Sequence, residues 1–270
     1  MKKLCFLAIV ALLLSGCAGG KSGTAVRLMT YNVGAFGKEM DDSAPMIASM
    51  IVELRAETVA LNELDSCNRR HNVNQVEHLV ACLNEASGAK NGWSGRFGRA
   101  MAYAGCAYGN GIVTRAKILD HFNIALPKEE GSEPRVCVVV ETPCYVYAAC
   151  HLDHIGDTAR VVQAGVITAE LQRRYGRSRK PVFLAGDFND TPDSPVIQQL
   201  SRDWSRLSPL VNSYSAIDPH VCIDYIFLLN NRHPSIRVLR SEDGDLTRWI
   251  TSGDVKLASD HLPVFVDVTF

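Results

Sequence analysis

The sequence predicts an α+β domain in which two packed β-sheets are flanked by helices, and three observations predict it. Short runs rich in β-branched and aromatic residues recur along most of the chain and outnumber the helical stretches. Apolar residues at helical spacing appear at four separate places between those runs. One run, residues 181–186 (PVFLAG), is continuously apolar, as a strand covered on both faces would be. No repeat of fixed period, low-complexity segment or linker-like break follows residue 24, so residues 25–270 read as one domain.

Residues 27–33 (RLMTYNV) alternate and form the first predicted strand. Ser43, Ala44 and Pro45 open a helix, with Met46, Ile47, Met50, Ile51 and Leu54 at helical spacing. Residues 58–64 are a second strand, which makes the opening β–α–β. Residues 73–86 form a second amphipathic helix with Val76, Leu79, Val80 and Leu83 on one face. Strands are then predicted at 94–102, 111–115, 118–124, 135–141 and 145–153. A helix at 157–175 has Val161, Val162, Val166, Ile167, Ala169 and Leu171 on its apolar side. After the buried run at 181–186, Ser194 caps a short helix that Pro195 opens and that runs to Leu200. Strands at 222–229, 236–240 and 262–270 close the chain.

The first residues are read separately. Lys2 and Lys3 precede an apolar run at 4–14, of signal-peptide length and too short to span a bilayer comfortably. It ends in Leu14-Ser15-Gly16-Cys17, which resembles a bacterial lipobox. That resemblance implies a signal peptide at 1–16, a lipidated Cys17 whose acyl chains anchor the protein to a membrane, and a flexible tether at 17–24. It places the protein in a bacterial cell envelope, at the outer membrane facing the periplasm. The chain has nine cysteines. Without Cys5 and Cys17 an odd number remains, in a compartment that permits disulfides. Cys137 and Cys150 lie in apolar strands and read as packing residues. No CxxC pair occurs, which disfavours structural zinc. Formal charge is −1, and loss of Lys2 and Lys3 makes the chain slightly more acidic. Tight sequence-independent DNA binding needs a strong basic patch. The one local basic run, Arg173 to Lys180, reads as a solvated helix end.

Six polar segments fall near strand ends: Thr30-Tyr31-Asn32, Asn62-Glu63-Leu64-Asp65, His151-Leu152-Asp153, Gly186-Asp187-Phe188-Asn189, Ile223-Asp224-Tyr225 and Ser259-Asp260-His261. A carboxylate such as Glu63 ending an apolar strand needs water, a donor or a cation, and a hard metal ion satisfies it. His151 and Asp153 share a strand face, as do Asp187 and Asn189. Asp224 interrupts an apolar strand and calls for a buried partner such as a histidine. Asp260 and His261 reach one site only from a turn. Together these side chains can orient a water, hold a cation and donate to phosphoryl oxygens, which is the equipment for hydrolysing a phosphate ester. An Asp224–His261 pair would orient the imidazole and favour its protonated form.

The ordered series TYN, NELD, YGNGIV, EPR, HLDH, AGDFND, IDYIF and SDHLPV resembles the endonuclease/exonuclease/phosphatase (DNase I-like) superfamily over residues 25–270. The resemblance implies a four-layer αββα sandwich with the site at one end of the sheets. It implies Mg²⁺, for which Mn²⁺ can substitute, near Glu63 and Asn32 with Asp260 as a further direct or water-mediated ligand. Asp187 matches the water-activating aspartate, Asn189 the amide that binds phosphate, His151 a phosphate-contacting histidine, and Asp224 with His261 the pair at the scissile phosphate. Arg135, Asn110, Arg70 and Tyr103 are further substrate-binding candidates. Arg135 is read equally as a strand-edge ion pair, Asn110 as a turn, and Arg70 as ordinary surface. Cys67 and Cys106, in two rim loops, are a candidate disulfide.

The implied reaction is in-line attack of an Asp-activated water on a phosphate ester, a phosphodiester first, by a monomer for which nucleic acid is one possible substrate. Alternatives are a phosphomonoesterase of sugar or inositol phosphates and a non-catalytic envelope lipoprotein that binds a phosphorylated ligand. Asp190-Thr191 and Cys222-Ile223-Asp224-Tyr225 depart from the inositol polyphosphate 5-phosphatase pattern. Trp249 is a candidate membrane contact, although a packed tryptophan fits it better.

Overall fold

A computed structural model describes residues 25–89, 92–129, 132–241 and 250–269. The signal peptide, Cys17, the tether and Trp249 lie outside the described residues. The first sheet contains β1 (Val26–Asn32), β2 (Thr58–Ser66), β3 (Ser94–Tyr103), β4 (Cys106–Thr114), β11 (Arg237–Ser241) and β12 (Val264–Thr269), in the order β11-β12-β1-β2-β4-β3. The second contains β5 (Asp120–Leu126), β6 (Arg135–Glu141), β7 (Val146–His151), β8 (Val182–Asp187), β9 (Trp204–Arg206) and β10 (Asp224–Leu229), in the order β5-β6-β7-β8-β10-β9. Each sheet has one parallel pair, β1 with β2 and β7 with β8, among antiparallel neighbours. The right-handed economy of a β–α–β crossover explains the long helices: α1 (Ala44–Glu53) joins the first pair and α3 (Asp157–Tyr175) the second.

Alternation along the strands builds three apolar layers. Leu28 and Ala60 face Val138, Ala149, Phe183 and Ile226 between the sheets. Met29, Tyr31, Val59 and Leu61 face α1 and α2 (Gln75–Ala86) on one outer side. Cys137, Val139, Leu184 and Phe227 face α3 and α4 (Pro195–Leu200) on the other. The result is the expected α+β four-layer sandwich. Nearly all of β6, β8 and β10 is buried on both faces, which is why PVFLAG reads as continuously apolar.

Several elements differ from their sequence reading. Strand β4 starts at Cys106 rather than 111, in a hairpin with β3 whose two-residue turn, Ala104-Gly105, has positive φ at both positions (45° and 96°). Its Gly109 lets backbones approach closely, since an added Cβ would lie 2.0 Å from Gly98 O, and this small-residue strand carries little β-branched signal. Strand β9, the four-residue α5 (Val255–Ala258) and a 3₁₀ turn at Gly34–Phe36 were not expected, because three or four residues show no periodicity. Helix α2 starts at Gln75 because Asn74 Oδ1 accepts from Val76 N–H at 3.2 Å. Ser194 makes no side-chain cap bond to α4. On α3 the buried face is Ala164, Ile167 and Leu171 with Gln163, while Val162 and Ala169 are exposed. Cys137 and Cys150 are buried register partners with free thiols. Cys67 and Cys106 are both free and exposed, so the rim pairing is not formed. A main-chain bond from Arg69 N–H to Ala104 O (2.8 Å) joins those loops instead.

Candidate active site

The site lies at the carboxyl ends of the two parallel pairs, where main-chain pairing stops and side chains can converge. Asn32 and Asn62 are register partners at the end of β1 and β2; His151 and Asp187 are partners at the end of β7 and β8. A cavity of about 510 Å³ opens there, lined by Glu63, His151, Asp187, Asn189, Asp260 and His261 among others. Six residues from four chain segments therefore meet in one place.

Asp187 is 2% exposed, and its Oδ2 lies 3.5 Å from His151 Nε2 and 3.7 Å from His261 Nε2. Burial, with the Asp224 charge adding to it, pushes its carboxyl up to about 7. Asp224, at the first residue of β10, is fully buried and opposite Asp187 in register. It is partnered as its burial demands: Oδ2 meets His261 Nδ1 at 2.9 Å and accepts from Ser213 Oγ at 2.6 Å. Burial alone would lower the His261 imidazolium, but the charges of Asp224, Asp187 and Asp260 overcome it and push it up to about 9. Asp260 and His261 both reach the site because they precede β12, outside a regular strand.

Glu63 does not end its strand. It sits at a β-bulge with φ 58°, and β2 continues to Ser66, so the bulge turns the carboxylate into the cavity. Lys38 Nζ lies 3.2 Å from Asp260 Oδ2 and 3.6 Å from Glu63 Oε2. Two carboxylates that share one cation form an oxygen-donor set suited to a hard divalent ion. Asn32 is buried beside them, but its Nδ2 donates to Glu63 Oε1 (3.1 Å) and Asp187 Oδ2 (3.0 Å), while Oδ1 accepts from Gly34 N–H. A nitrogen thus faces the place where a direct ligand needs an oxygen, and ligation would require the amide to turn over. Asp187, Asp224 and His261 also offer ligand atoms within 4.8 Å of one another. The His261–Asp224 bond already engages two of those groups, so Glu63 and Asp260 are the better seat.

Asn189 borders the cavity with φ 52°, so it does not share a strand face with Asp187. Asp187 Oδ1 accepts Asn189 N–H at 2.8 Å, closing a turn, and Asn189 Nδ2 donates to Leu152 O. Asp153 turns away altogether: its Oδ1 accepts from Ile155 and Gly156 N–H, because β7 has ended at His151. Arg135 is 5% exposed on the cavity wall, with Nη1 3.1 Å from His151 Nδ1 and Nη2 3.0 Å from His154 Nδ1. Arg70 and Tyr103 line the opposite wall. The Arg70 guanidinium donates to both oxygens of buried Asp65 (2.7 and 2.9 Å) and lies 4.9 Å from the Tyr103 ring centre.

Asn110 neither lines the cavity nor makes a turn. It lies within β4, 3% exposed, with Nδ2 donating across the sheets to Val136 O and Oδ1 accepting from Asn62 Nδ2 on neighbouring β2. Sequence reasoning missed Asn62, whose Oδ1 accepts Asp187 N–H at 3.0 Å while Nδ2 donates to Cys150 O at 2.8 Å. A buried amide beside Glu63 was its signal. Lys38, His71, Glu133, His154 and Tyr214 also line the cavity from loops with no motif to mark them.

The sequence profile of the Endonuclease/Exonuclease/phosphatase family matches residues 29–261. The chain belongs to that family. Family membership makes it a hydrolase acting on phosphate esters. Solved structures agree on the fold. An endonuclease/exonuclease/phosphatase from Beutenbergia cavernae DSM 12333 is 20% identical with a TM-score of 0.68, over 91% of this chain and 72% of that one. A family protein from Bacteroides thetaiotaomicron is 18% identical with a TM-score of 0.67, over 93% and 99%. A mannosyl-6-phosphatase from Bacteroides thetaiotaomicron VPI-5482 is 19% identical with a TM-score of 0.66, over 91% and 100%. No curated protein matches the chain.

Proposed function

We propose that this family member is a divalent-metal-dependent phosphomonoesterase for a small phosphorylated ligand. The carrying observation is Asp187, a carboxyl poised near neutrality between His151 and His261 in a single cavity. A base of that strength can take a proton from water at neutral pH, and the water oxygen then bonds to phosphorus. His261, held as a cation by Asp224, stabilises the charge on the phosphoryl oxygens. As the bond from phosphorus to the alcohol oxygen breaks, that oxygen takes a proton from solvent and the alcohol leaves, and Asp187 later returns the proton of the attacking water to solvent. Asn189 and His151 border the phosphoryl position as further donors. Glu63 and Asp260 would hold Mg²⁺, which supplies positive charge to the phosphoryl oxygens when bound.

The monoester reading displaces the diester preference of the sequence for three reasons. The cavity is in the size range of small-molecule sites. Among the described residues, its Arg and Lys side chains are matched by acids, Arg70 by Asp65, Arg135 by Glu133 and Lys38 by Glu63 and Asp260, which leaves little surplus charge for flanking phosphates. Within the basic run, Arg173 and Arg174 at the end of α3 pair with Glu170 and Lys180 pairs with Glu141. The structural likeness to a mannosyl-6-phosphatase points the same way.

A panel of p-nitrophenyl phosphate, mannose 6-phosphate, bis-(p-nitrophenyl) phosphate, DNA and sphingomyelin, with Mg²⁺ or chelator, tests this. Turnover of the monoesters that chelator abolishes is expected. Faster cleavage of a diester would restore the diester reading, and inactivity throughout would favour a binding lipoprotein.

We further propose anchoring in the bacterial envelope through lipidated Cys17, on the strength of the apolar run and the lipobox. The full chain should partition into the detergent phase, and Cys17→Ala should move it to the aqueous phase.

A further inference from the structure

A guanidinium has N–H donors and no acceptor. Arg135 directs Nη1 at His151 Nδ1 (3.1 Å) and Nη2 at His154 Nδ1 (3.0 Å). Each contact is a hydrogen bond only if the imidazole nitrogen offers a lone pair. The proton of each neutral ring therefore resides on Nε2. An imidazolium at either position would set N–H against N–H and place two cations in contact.

The arrangement is built rather than incidental. Arg135 is the first residue of β6 and is 5% exposed, and Glu133 Oε2 lies 3.4 Å from Nη2. His151 ends β7, and His154 follows in the loop that leads to α3. All three line the cavity that holds Asp187. His154 has no role assigned by the motif series.

We propose that Arg135 is a positioning residue that locks His151 and His154 as Nε2–H donors, so that His154 becomes a second contact to the phosphate-ester group. Two neutral donors with a guanidinium behind them suit a dianion: the N–H groups meet its oxygens, and the charge at their backs strengthens both bonds. What occupies the cavity rests on the phosphoesterase reading; the tautomers do not.

The test has two arms on the full chain in detergent. In the first, long-range ¹H–¹⁵N correlation reads the tautomer of each histidine, with His151→Gln and His154→Gln giving the assignments. Both rings should show a bare Nδ1 and a protonated Nε2, and inorganic phosphate should shift both. Arg135→Lys, with one donor point instead of two, should return at least one ring to a tautomer mixture. In the second, His154→Phe should raise KM for p-nitrophenyl phosphate about 10-fold with kcat within about threefold, while His154→Gln, which keeps an N–H, should stay within about threefold. A proton on Nδ1 of either wild-type ring, a His154 signal that phosphate leaves unmoved, or an unchanged KM in His154→Phe would overturn the proposal. Locked tautomers and phosphate binding without turnover of any ester would sustain it and sink the phosphoesterase reading instead.

Discussion

Lys38 Nζ lies 3.2 Å from Asp260 Oδ2, and the same ammonium reaches Glu63 Oε2 at 3.6 Å. A resident ammonium therefore offsets half the charge of the two carboxylates that suit a metal. Lys38→Met should leave both carboxylates without their shared cation, and divalent cations should then bind more tightly, by about 10-fold. Calorimetric titration with Mn²⁺ measures this. Weaker binding in the variant would mean that Lys38 supports the metal seat instead of competing for it.

Asp187 has the opposite problem. Its carboxyl is raised from 3.8 to about 7 by burial and by Asp224, so its charge costs stability increasingly as pH rises through that range. Asp187→Asn should lower kcat by about 10³-fold or more while raising the metal-free melting temperature at pH ~8. An active variant would remove Asp187 from its role as base. An unfolded one would show that the carboxylate is structural.

His261 is raised from its ordinary 6.5 to about 9, after Asp224 and its neighbours overcome burial. Its stabilisation is fully present below pH 6.5 and is lost as pH rises through about 9. In chelator, the unfolding free energy of the wild type should fall across that window by an amount on the order of 1–3 kcal/mol, and the melting temperature should fall with it. Asp224→Asn should flatten the fall. An equally steep curve in that variant would assign the loss to another group.

Asn62 ties β2 to both strands of the second parallel pair, through Cys150 O and Asp187 N–H. Asn62→Ala should cost about 2–3 kcal/mol in denaturant unfolding, because it removes the side-chain partner of one buried donor, Asp187 N–H, and two buried acceptors, Cys150 O and Asn110 Oδ1, and kcat should fall as the end of β8 loosens. Asn110→Ala serves as the comparison. It should also destabilise, but leave KM unchanged, because Asn110 does not line the cavity.

The sheet-forming runs, the four main helices and the order of the polar segments were legible in the sequence because they are local. A buried strand such as β8 is apolar at nearly every position, and an amphipathic helix repeats at its own pitch, wherever the rest of the chain lies. Elements without that local signature were not legible. Strand β4 lost its signal to Ala107, Gly109 and Gly111, and β9 and α5 are too short to show a period. Strand-face arguments placed His151 and Asp187 correctly but failed one step later: Asp153 and Asn189 lie beyond the strand ends, where turn bonds set the direction of a side chain.

By itself the sequence determined which chemistry the chain carries: carboxylates, histidines and amides at strand ends, in an order that marks a phosphate-ester hydrolase. Only the tertiary structure decided which of them meet. Residues far apart in the chain converge because two parallel strand pairs end at the same edge of the sandwich, and burial there sets their charge. Whether Arg135 reaches substrate or two histidines, and whether Asn110 faces the cavity or the space between sheets, depends on contacts across sheets, which no local pattern encodes.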